Sequence, residues 1–544
     1  MKRYDAVIAG MGPTGVTLAN LLARRGWRVL IADPAYEVYP LPRAITADHE
    51  VMRTFQAIGV ADEVAQECIP HPGSDYLGVD GGLIKTFYPA PPPHPLGWEA
   101  NFLFYQPRLE ARLRRELERY PNVEQRPGTS LVDAAENADS VVVVLERDGE
   151  TEQVEAEFLV GCDGARSRTR ALVQPTITDL DFDEWWVIVD TNLVADTDLP
   201  SRATQYCQPS RPGTFIIGPG SLRRWEIKVL PSEDPQDFKD HAVLRRVLSH
   251  FVDVDALEIA RVAVYRFHAL VVDNWRRGRV LLAGDAAHQM PPFLGQGMCA
   301  GIRDAAGLAW KLDAVAKRGW PEQVLDTYEA EMRPHVAEVV GLAKSFGEII
   351  GELDPDRARA RDARLREARR LRPDPTRQQV IPPLSAGLIA SPPNVAAGTQ
   401  LPQPWVRDPS GDRVRLDEVL GDWFAVVSIE NDDAARAGAG DGSGRFFESA
   451  CRALGARHVA VRRPTGGENG RTASRAGNAE VTEVVDLDGT LVNWASRLGI
   501  SWAVVRPDRY VYGTATSQGA ALGLVEELCL RGEVLASEPV VERH

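Results

Sequence analysis

The segment that decides the fold is Gly10-Met11-Gly12-Pro13-Thr14-Gly15, close to the N-terminus. It follows Tyr4 to Ala9, an apolar run with the length and composition of a strand buried on both faces. A helical pattern comes next, and a second strand over 28–32 ends at Asp33. Strand, glycine turn, helix, strand and terminal acid form the context in which such a motif binds a dinucleotide. The sequence therefore predicts a Rossmann-like βαβ unit, and the alternative is a glycine turn without a ligand.

Each position of the glycine motif has a physical role in this prediction. Gly10 permits the tight turn, Gly12 lets the backbone approach a pyrophosphate, and Gly15 lets the helix pack closely on the strand. The helix N-terminus offers free N–H groups and the positive end of its dipole to phosphate groups. Asp33 can accept a hydrogen bond from a ribose hydroxyl. The candidate cofactor-binding residues of this unit are Gly10, Gly12, Pro13, Thr14, Gly15 and Asp33.

Composition limits the classes to which the chain can belong. It has 544 residues and a net charge of −15, and 44% of its residues are hydrophobic, which excludes disorder as the main state. Its length predicts roughly two to four domains. The acidic balance argues against nucleic-acid binding, and no apolar run reaches the length of about 18 residues needed for a membrane span.

The cysteines and the N-terminus indicate the compartment. The six cysteines are scattered and form no CxxC pair, so we expect neither a disulfide framework nor a metal site. The apolar run at the N-terminus ends at Gly10, too early for a signal peptide. These features predict a protein of the reducing cytoplasm.

Further motifs follow the βαβ unit in a fixed order. Arg43 comes after the second strand, Gln106 opens an amphipathic helix, and a strand over 157–160 leads into Gly161-Cys162-Asp163-Gly164. A later strand over 279–283 ends in a Gly-Asp pair and continues through two prolines to a glycine-rich helix start. The candidate cofactor-binding residues of these motifs are Arg43, Gln106, Asp163, Gly164, Gly284, Asp285, Pro292, Gly295, Gly297, Met298 and Cys299.

This ordered set resembles the single-component FAD-dependent aromatic hydroxylases, over residues 1 to 345 of this chain. The resemblance implies FAD, with NADH or NADPH as electron donor and a preference for NADH. It also implies that Asp285 bonds the flavin ribityl chain and that the helix after Gly297 points its N-terminus at the pyrimidine edge. It further implies that Asp163 and Gly164 serve FAD and the nicotinamide cofactor together.

The same resemblance assigns two more positions and leaves one departure. It implies that Arg43 lies near the flavin and that Gln106 contacts the phosphate–ribose region of FAD. Cys299 stands where the family commonly has asparagine, and we interpret it as a small packed residue rather than a reactive thiol.

A closer similarity is to the 3-(3-hydroxyphenyl)propionate hydroxylases. It rests on Arg43-Ala44-Ile45 followed by Asp48-His49-Glu50, on Trp186 to Asp190, and on Arg223 to Glu226. It implies a phenolic acid as substrate, hydroxylated ortho to an existing hydroxyl by a flavin C4a-hydroperoxide formed with O2. The alternatives are an aromatic polyketide hydroxylase, a flavin-dependent dehydrogenase and a non-catalytic FAD-binding sensor.

The segment between the Asp-Gly and Gly-Asp motifs is expected to bind the substrate. Its strand patterns, at 185–189, 214–217, 225–229 and 262–267, predict a sheet over the reactive edge of the flavin. Such a sheet supplies a dry, largely apolar pocket. Candidate hydrogen-bond partners of the phenol are Tyr265, His268 and Tyr105.

Four other residues complete the candidates in this region. Arg223 and Arg224 are candidates for holding a substrate carboxylate, with an exposed strand-end pair as the alternative. The catalytic set thus comprises Tyr265, His268, Pro292 and Arg224, and we interpret His288 as structural.

The sequence predicts an α/β protein with discontinuous domains. An FAD-binding domain of the para-hydroxybenzoate hydroxylase type covers 1–175 plus 271–345, with a helical segment over 308–342. The substrate-binding sheet domain covers 176–270, and a helix and linker cover 346–397.

The remaining segment, 398–544, resembles the thioredoxin-like domain that closes this hydroxylase subgroup. Strand patterns at 424–429 and 502–505 and a small-residue loop over 434–445 support the resemblance. Because the CxxC pair of a redox-active domain is missing, we interpret the domain as structural, with a homodimer contact as its candidate role.

Overall fold

The computed structural model describes residues 1–430, 443–464 and 481–537. The chain divides into two units. The first comprises Met1–Ala90, Glu99–Ala305 and Val336–Ile381, and the second comprises Pro91–Trp98, Ala306–His335 and Pro382–His544. Residues 306–335, which the sequence analysis placed with the FAD-binding domain, group here with the C-terminal segment. The other domain boundaries stay predictions.

The cofactor sheet of the first unit is built around the strand Lys2–Ala9. This strand pairs in parallel with Val29–Asp33 on one side and with Glu150–Gly161 on the other. Strands buried on both faces need continuous apolar runs, and residues 6–9 have almost no solvent exposure. The helix Pro13–Arg24 connects the first two strands and confirms the predicted βαβ unit. The strand order is Arg276–Arg277, Val280–Leu282, Glu150–Gly161, Lys2–Ala9, Val29–Asp33 and Val123–Pro127, with Val141–Arg147 and then Ser130–Glu136 branching from Glu150–Gly161.

The second large sheet of the first unit is named the substrate sheet after the role predicted for it. It contains the four strands predicted between residues 176 and 270, which are thereby confirmed. It also takes in two strands from the preceding segment, Ser74–Leu77 and Leu83–Phe87, and one from the following segment. Its strand order is His288–Gln289, Leu257–Val272, Ile177–Leu193, Leu222–Lys228, Gly213–Ile217, Ala203–Tyr206, Ser74–Leu77 and Leu83–Phe87.

The two faces of the substrate sheet have different surroundings. The outer face carries Val187, Val189 and Trp225, which pack with apolar residues of the helix His241–Leu248. Because side chains alternate along a strand, the residues between them lie on the opposite, inner face. The inner face carries Trp186, Ile188, Asp190, Arg224, Glu226 and Lys228.

The rest of the first unit consists of a small sheet, helices and single turns. The small sheet orders Thr46–Asp48, Asn101–Leu103 and Ile69–Pro70. The α-helices that lie in the first unit or extend into it are Pro13–Arg24, His49–Ile58, Ala61–Gln66, Gln106–Leu117, Arg168–Val173, His241–Leu248, Gly297–Arg318, Asp326–Gly351 and Pro355–Leu371. The 3-10 turns of the first unit are Pro235–Lys239, Val254–Ala256, Gly284–Ala286, Pro292–Leu294 and Arg377–Gln379, and a further one, Glu322–Leu325, belongs to the second unit.

One predicted helix is interrupted. The sequence predicts continuous helix over 308–342, but the structure has two helices, ending at Arg318 and restarting at Asp326. Gly319 adopts a φ of +71° and Pro321 has no backbone N–H to donate, so the helix cannot continue through this point.

The second unit contains a thioredoxin-like domain. Within the described residues its sheet has the order Arg413–Arg415, Trp405–Arg407, Val481–Asp486, Arg457–Arg462, Ala425–Ile429, Trp502–Val505 and Val511–Ala515. The strands predicted at 424–429 and 502–505 are thereby confirmed. Its helices are Leu416–Leu420, Ser443–Leu454, Thr490–Leu498 and Gln518–Ser537. The loop predicted over 434–445 lies outside the described residues, apart from its last three, which begin a helix.

None of the helices in the described ranges is long and apolar enough to cross a lipid bilayer.

A buried cluster of charged side chains lies inside the second unit. The Glu331 carboxylate accepts hydrogen bonds from Lys311 Nζ and Arg506 Nη2, both at 2.7 Å. Arg506 also bonds the Asp508 carboxylate at 2.7 Å, and all four side chains are buried. Burial lowers the pKa of Lys311 to about 8, because removal from water disfavours the charged form of the amine.

We predict that Glu331→Gln destabilises the protein by about 3–5 kcal/mol, because it leaves two cations buried with one carboxylate between them. The free energy of unfolding, measured by urea denaturation, tests this. Glu338→Gln, at an exposed position on the same helix, is the matched control and should change stability by less than about 0.5 kcal/mol. Equal midpoints for the two variants would contradict the prediction.

Candidate cofactor and substrate site

The glycine loop contains two positions fixed by packing and one that is open. A Cβ on Gly10, whose φ is +104°, would lie 2.3 Å from the carbonyl oxygen of Cys162. A Cβ on Gly15 would lie 2.0 Å from the carbonyl oxygen of Gly10. A Cβ on Gly12 would have no described atom within 4 Å. The protein itself therefore requires glycine at 10 and 15, whereas Gly12 presents an open backbone surface.

The acid at the end of the second strand holds this loop in place. Asp33 accepts hydrogen bonds from the backbone N–H of Met11 at 2.7 Å and of Ala35 at 2.8 Å. The helix Pro13–Arg24 begins at Gly12 without a side-chain hydrogen bond to its first N–H groups in the described part of the chain. Those N–H groups remain available to a phosphate group.

Three motifs that are distant in sequence meet at Thr14. A Cβ on Gly284 would lie 2.7 Å from Thr14 Oγ1. A Cβ on Gly301 would lie 2.3 Å from the same atom and 3.1 Å from the Cα of Gly284. The first helix, the Gly-Asp turn and the helix Gly297–Arg318 thus touch through positions that lack side chains.

Asp285 lies in a cleft beside cationic groups. Its side chain is exposed, yet desolvation by the surrounding protein raises the pKa of its carboxyl, against the opposing effects of His288, Arg43 and Arg170. Arg170 Nη2 donates to the carbonyl oxygen of Ala165 at 2.7 Å and to that of Asp285 at 3.4 Å. Arg170, which the sequence analysis missed, therefore connects the Asp-Gly loop to the Gly-Asp turn.

The Gly-Asp turn is anchored from below by a buried pair. His288 Nε2 lies 2.7 Å from Asp304 Oδ2, and the backbone N–H of Gly284 donates to the same oxygen at 2.8 Å. Both side chains are buried. This contact gives His288 a structural role, as interpreted from the sequence. Asp304 was missed, although its place on the helix after the glycine loop was a usable signal.

The acidic residue of the Asp-Gly loop, Asp163, makes its hydrogen bonds within the protein. Asp163 Oδ2 accepts from the backbone N–H of Arg168 at 2.8 Å and of Thr169 at 3.0 Å, at the start of the helix Arg168–Val173. Gly164 has a φ of +77°, which favours glycine. Asp163 therefore shapes the loop, and the direct contacts predicted for it and Gly164 with FAD and the nicotinamide cofactor stay predictions.

The loop that carries Arg43 is held by Gln106. Gln106 Oε1 accepts from the backbone N–H of Arg43 at 3.0 Å and of Ala44 at 2.6 Å. The Arg43 side chain itself is exposed and lies over the ring of Tyr39. Gln106 thus positions Arg43, and its predicted contact with the phosphate–ribose region stays a prediction.

Arg224 has a different role from the expected carboxylate anchor. Its Nε donates to Asp190 Oδ1 at 2.7 Å, while Nη1 and Nη2 donate to the carbonyl oxygens of Arg43 and Pro42, each at 2.8 Å. Only 2% of Arg224 is exposed. Arg261 makes a parallel pair of bonds, to Asp190 at 3.1 Å and Pro42 at 2.7 Å. The expectation is corrected: a guanidinium bonded in this way holds the Arg43 loop against the inner face.

Arg223 is also engaged locally. Its Nη1 donates to the carbonyl oxygens of Gly220 at 2.9 Å and Leu222 at 2.7 Å, within its own turn. It is half-buried and does not form the exposed strand-end pair with Arg224 that was the alternative.

The pairing of the strand Leu257–Val272 with Ile177–Leu193 places two candidate hydrogen-bond partners of the phenol on opposite faces of the sheet. Tyr265 pairs with Trp186 on the inner face, whereas His268 pairs with Asp183 on the outer face. The His268 side chain is 39% exposed and lies 3.8 Å from the Asp183 carboxylate. The expectation for His268 is therefore corrected, because its side chain points away from the Arg43 loop. Tyr105 donates its hydroxyl to the Pro40 carbonyl oxygen at 3.0 Å.

An aromatic wall follows the turn Pro292–Leu294. The ring of Phe293 lies 4.9 Å from that of Trp186 and 6.3 Å from that of Phe267, measured between centroids. Phe267 in turn stacks on Tyr265 at 6.1 Å. Pro292 thus lies beside the aromatic part of the inner face.

The glycine loop after this turn packs tightly and then opens. A Cβ on Gly295, whose φ is +65°, would lie 2.0 Å from Thr46 Oγ1. Cys299 is fully buried, and burial raises the pKa of its thiol, in agreement with a packed rather than reactive residue. Gly297 and Met298 are half-exposed at the first turn of their helix.

The Asp48-His49-Glu50 motif meets the same helix. Arg303 bonds the Asp48 carboxylate, donates to Glu50 Oε2 at 2.7 Å, and donates to Gln296 Oε1 at 3.1 Å. Asp48 also accepts from the backbone N–H of Val51 and so begins the helix His49–Ile58. This network joins the glycine loop, through Gln296, to the start of the helix His49–Ile58.

The arrangement fits a flavin dinucleotide. It combines an open backbone position at Gly12, a helix start with free N–H groups, and an exposed acid in a cleft, Asp285. In the described ranges, no group of three or more His, Cys, Asp or Glu side chains is arranged to hold a metal ion.

Comparison with protein families gives two matches. The FAD binding domain family matches residues 3–343. The HcaD C-terminal domain family matches residues 398–528.

Similar proteins cover nearly the whole chain. A 3-(3-hydroxy-phenyl)propionate/3-hydroxycinnamic acid hydroxylase of Burkholderia cenocepacia (strain HI2424) is 33% identical over 96% of this chain and 95% of its own length. A probable NADH-specific resorcinol 4-hydroxylase of Rhodococcus jostii (strain RHA1) is 35% identical over 100% of this chain and 97% of its own.

Two solved structures share the fold. The flavin-dependent monooxygenase PieE, in complex with FAD and substrate, has a TM-score of 0.75 at 20% identity and covers 98% of this chain and 99% of its own. Aklavinone-11 hydroxylase, in a ternary complex with FAD and aklavinone, has a TM-score of 0.72 at 22% identity and covers 98% of this chain and 100% of its own.

We predict that Gly12→Ala and Gly15→Ala separate ligand binding from folding. Gly12→Ala should change the stability of the FAD-free protein by less than about 1 kcal/mol, because its methyl group meets no protein atom. Its affinity for FAD should fall at least tenfold, because the methyl group occupies the surface that a diphosphate approaches. Gly15→Ala should destabilise the FAD-free protein itself by about 1–3 kcal/mol through overpacking.

Thermal unfolding of the FAD-free proteins and FAD titration followed by flavin fluorescence measure the two effects. Unchanged FAD affinity in Gly12→Ala would contradict the assignment of this surface to the cofactor.

Proposed function

The chain belongs to the single-component FAD-dependent aromatic hydroxylases, and on that premise we propose that it hydroxylates a phenolic acid ortho to an existing hydroxyl. FAD is its cofactor, and a reduced nicotinamide nucleotide is its electron donor. We propose 3-(3-hydroxyphenyl)propionate or a kindred phenolic acid as substrate and NADH as the donor. The observation that carries the proposal is the cleft at Gly12 and Asp285. The phenolic-acid substrate is supported by the similarity to a 3-(3-hydroxy-phenyl)propionate/3-hydroxycinnamic acid hydroxylase along nearly the full chain, and NADH by the similarity to a hydroxylase named as NADH-specific.

In this proposal the chain's own groups bind and orient the cofactor. The open backbone at Gly12 and the start of the helix Pro13–Arg24 would hold the diphosphate, and Asp33 would hold a ribose. Asp285 would hold the ribityl chain, and the helix start at Gly297 would lie at the pyrimidine edge, where negative charge is favourable. Reduced FAD, when bound, supplies the activated oxygen that is transferred to the ring.

The inner face of the substrate sheet would exclude water from the reacting atoms. Trp186 is fully buried, and Phe293 and Phe267 extend its apolar surface beside Pro292. Activated oxygen is lost to side reactions when water enters, so a dry aromatic wall protects the transfer to substrate.

A phenol without a carboxylate, of the resorcinol type, is the second candidate substrate. It is favoured by the finding that Arg224 and Arg261, two cations of the inner face, are both bonded within the protein. A carboxylate on the substrate would have to find another partner. The homodimer and the cytoplasmic location inferred from the sequence stay predictions.

We predict oxygen incorporation from O2 with phenolic acids. The holoenzyme, given NADH, 18O2 and a panel of phenols, should yield a catechol-type product that carries one labelled oxygen, with little peroxide released. The panel should include 3-(3-hydroxyphenyl)propionate, its analogue without the hydroxyl, and resorcinol. Highest kcat/KM with resorcinol would favour the second candidate. Reduction of FAD without labelled product from any phenol would overturn the proposal and favour a dehydrogenase.

A further inference from the structure

Glu226 is a buried carboxyl on the inner face of the substrate sheet. Its residue is only 4% exposed, and its side chain makes no hydrogen bond to any part of the chain that the structure describes. It pairs directly with Ile188 in one neighbouring strand and with Thr214 in the other. A buried carboxyl without a partner is costly, so its retention on this face needs an explanation.

Its position lies between the two loops that flank the cofactor cleft. Two residues along its strand in one direction, Arg224 bonds the carbonyl oxygens of the Arg43 loop. Two residues along the strand in the other direction is Lys228, which pairs with Trp186 of the neighbouring strand. The ring of Trp186 contacts Phe293 of the Pro292 turn. Side chains two residues apart point to the same face of a sheet. The Glu226 carboxyl therefore occupies the middle of the inner face, between these loops.

The inner face is open beside this position. Across the sheet, Glu226 is followed by Ile188 and then by Ala263, which is half-exposed although it lies within a long strand. Tyr265, two residues further on the same face, is 37% exposed. Because Ala263 carries only a methyl group and Tyr265 is exposed, this part of the inner face is accessible to a ligand.

The buried position of Glu226 keeps its carboxyl able to exchange a proton near neutrality. Burial raises the pKa of its carboxyl to about 7, with Arg224 acting against this and Asp190 adding to it. The charged groups on the adjoining strands are already paired: Arg224 and Arg261 both bond Asp190, and Lys228 bonds Glu184. The strand Gly213–Ile217 contributes Thr214, whose hydroxyl donates to Gln205 Oε1.

We propose that the Glu226 carboxylate accepts the proton of the substrate's phenolic hydroxyl, an inference that rests on the phenolic substrate proposed above. The O–H bond of the phenol breaks, an O–H bond forms on Glu226, and the electron pair stays on the phenolate oxygen. The phenolate is more electron-rich at its ortho carbon, which is where an electrophilic oxygen would be received. Glu226 takes the role for which the sequence suggested Tyr265, His268 and Tyr105.

The test compares Glu226→Gln with Glu226→Asp and with Asp183→Asn. Asp183, 44% exposed on the outer face, is the matched carboxylate-to-amide control. Glu226→Gln should retain FAD but lower kcat of hydroxylation about a hundredfold or more, the usual contribution of a positioned base. The wild-type kcat/KM should fall as pH decreases through about 7, because protonated Glu226 cannot accept a proton, and this dependence should vanish in Glu226→Gln. Glu226→Asp should recover part of the rate, and Asp183→Asn should match the wild type.

A binding measurement keeps the proposal falsifiable if the glutamine variant fails to fold. The probe is a nitro-substituted phenol whose ionised form absorbs visible light and whose own ionisation in water lies well above pH 7. It should bind the wild-type holoenzyme as phenolate already above about pH 7, because its proton passes to Glu226, and as neutral phenol below that pH. A bound probe whose absorption shows no change from phenol to phenolate near pH 7 would overturn the proposal. So would a Glu226→Gln variant with the wild-type kcat and pH profile.

If the wild type hydroxylates no phenol, the proposed function fails. If the wild type hydroxylates phenols and Glu226→Gln does so equally well, only the role of Glu226 fails.

Discussion

The cofactor cleft exists because Gly284 and Gly301 carry no side chains where they meet Thr14. A methyl group on either glycine would overlap the Thr14 hydroxyl, so the three segments approach as closely as backbones allow. That approach sets Asp285 and the helix start at Gly297 at a fixed place relative to the open backbone of Gly12. Buried hydrogen bonds from His288 and Gly284 to Asp304 then lock the turn that carries Asp285.

A second constraint connects the cleft to the substrate sheet. Asp190 receives hydrogen bonds from both Arg224 and Arg261, and both arginines also bond the carbonyl oxygen of Pro42. A buried ion pair offsets its desolvation cost only when the remaining donors are satisfied, and here the loop carbonyls satisfy them. The loop that carries Arg43 is therefore fixed to the inner face, and the aromatic wall and Glu226 lie on that same face.

Local patterns in the sequence are sufficient to predict the βαβ unit of the cofactor half of the site. The strand before Gly10, the helix after Gly15 and the acid at Asp33 each depend on neighbours in the chain, and the structure confirms the unit they form. Gln106 and Asp163 are predicted from the sequence to contact the cofactors, and these contacts stay predictions. The structure shows that their side-chain oxygens accept hydrogen bonds from backbone N–H groups of their loops. A side chain that holds its own loop and a side chain that contacts a ligand have the same signature in the sequence.

The substrate half depended on long-range pairing, which a single sequence does not contain. Whether Tyr265 and His268 share a face with Arg224 follows from the register of Ile177–Leu193 against Leu257–Val272, which shifts at two irregularities. A change of one residue in register exchanges the inner and outer faces. For the same reason Arg224 was taken for a possible ligand of substrate, and Glu226 was passed over as part of a strand.

We propose that a non-covalent FAD occupies the cleft between Gly12 and Asp285, and the roles given to the surrounding residues depend on its presence there. Equilibrium titration of the FAD-free protein, followed by visible absorption and by isothermal calorimetry, tests it most directly. Saturation at one FAD per chain is expected, with a shifted flavin spectrum and full release of the flavin on denaturation. A protein that is colourless as purified and neither takes up heat nor shifts the spectrum on addition of FAD would contradict it.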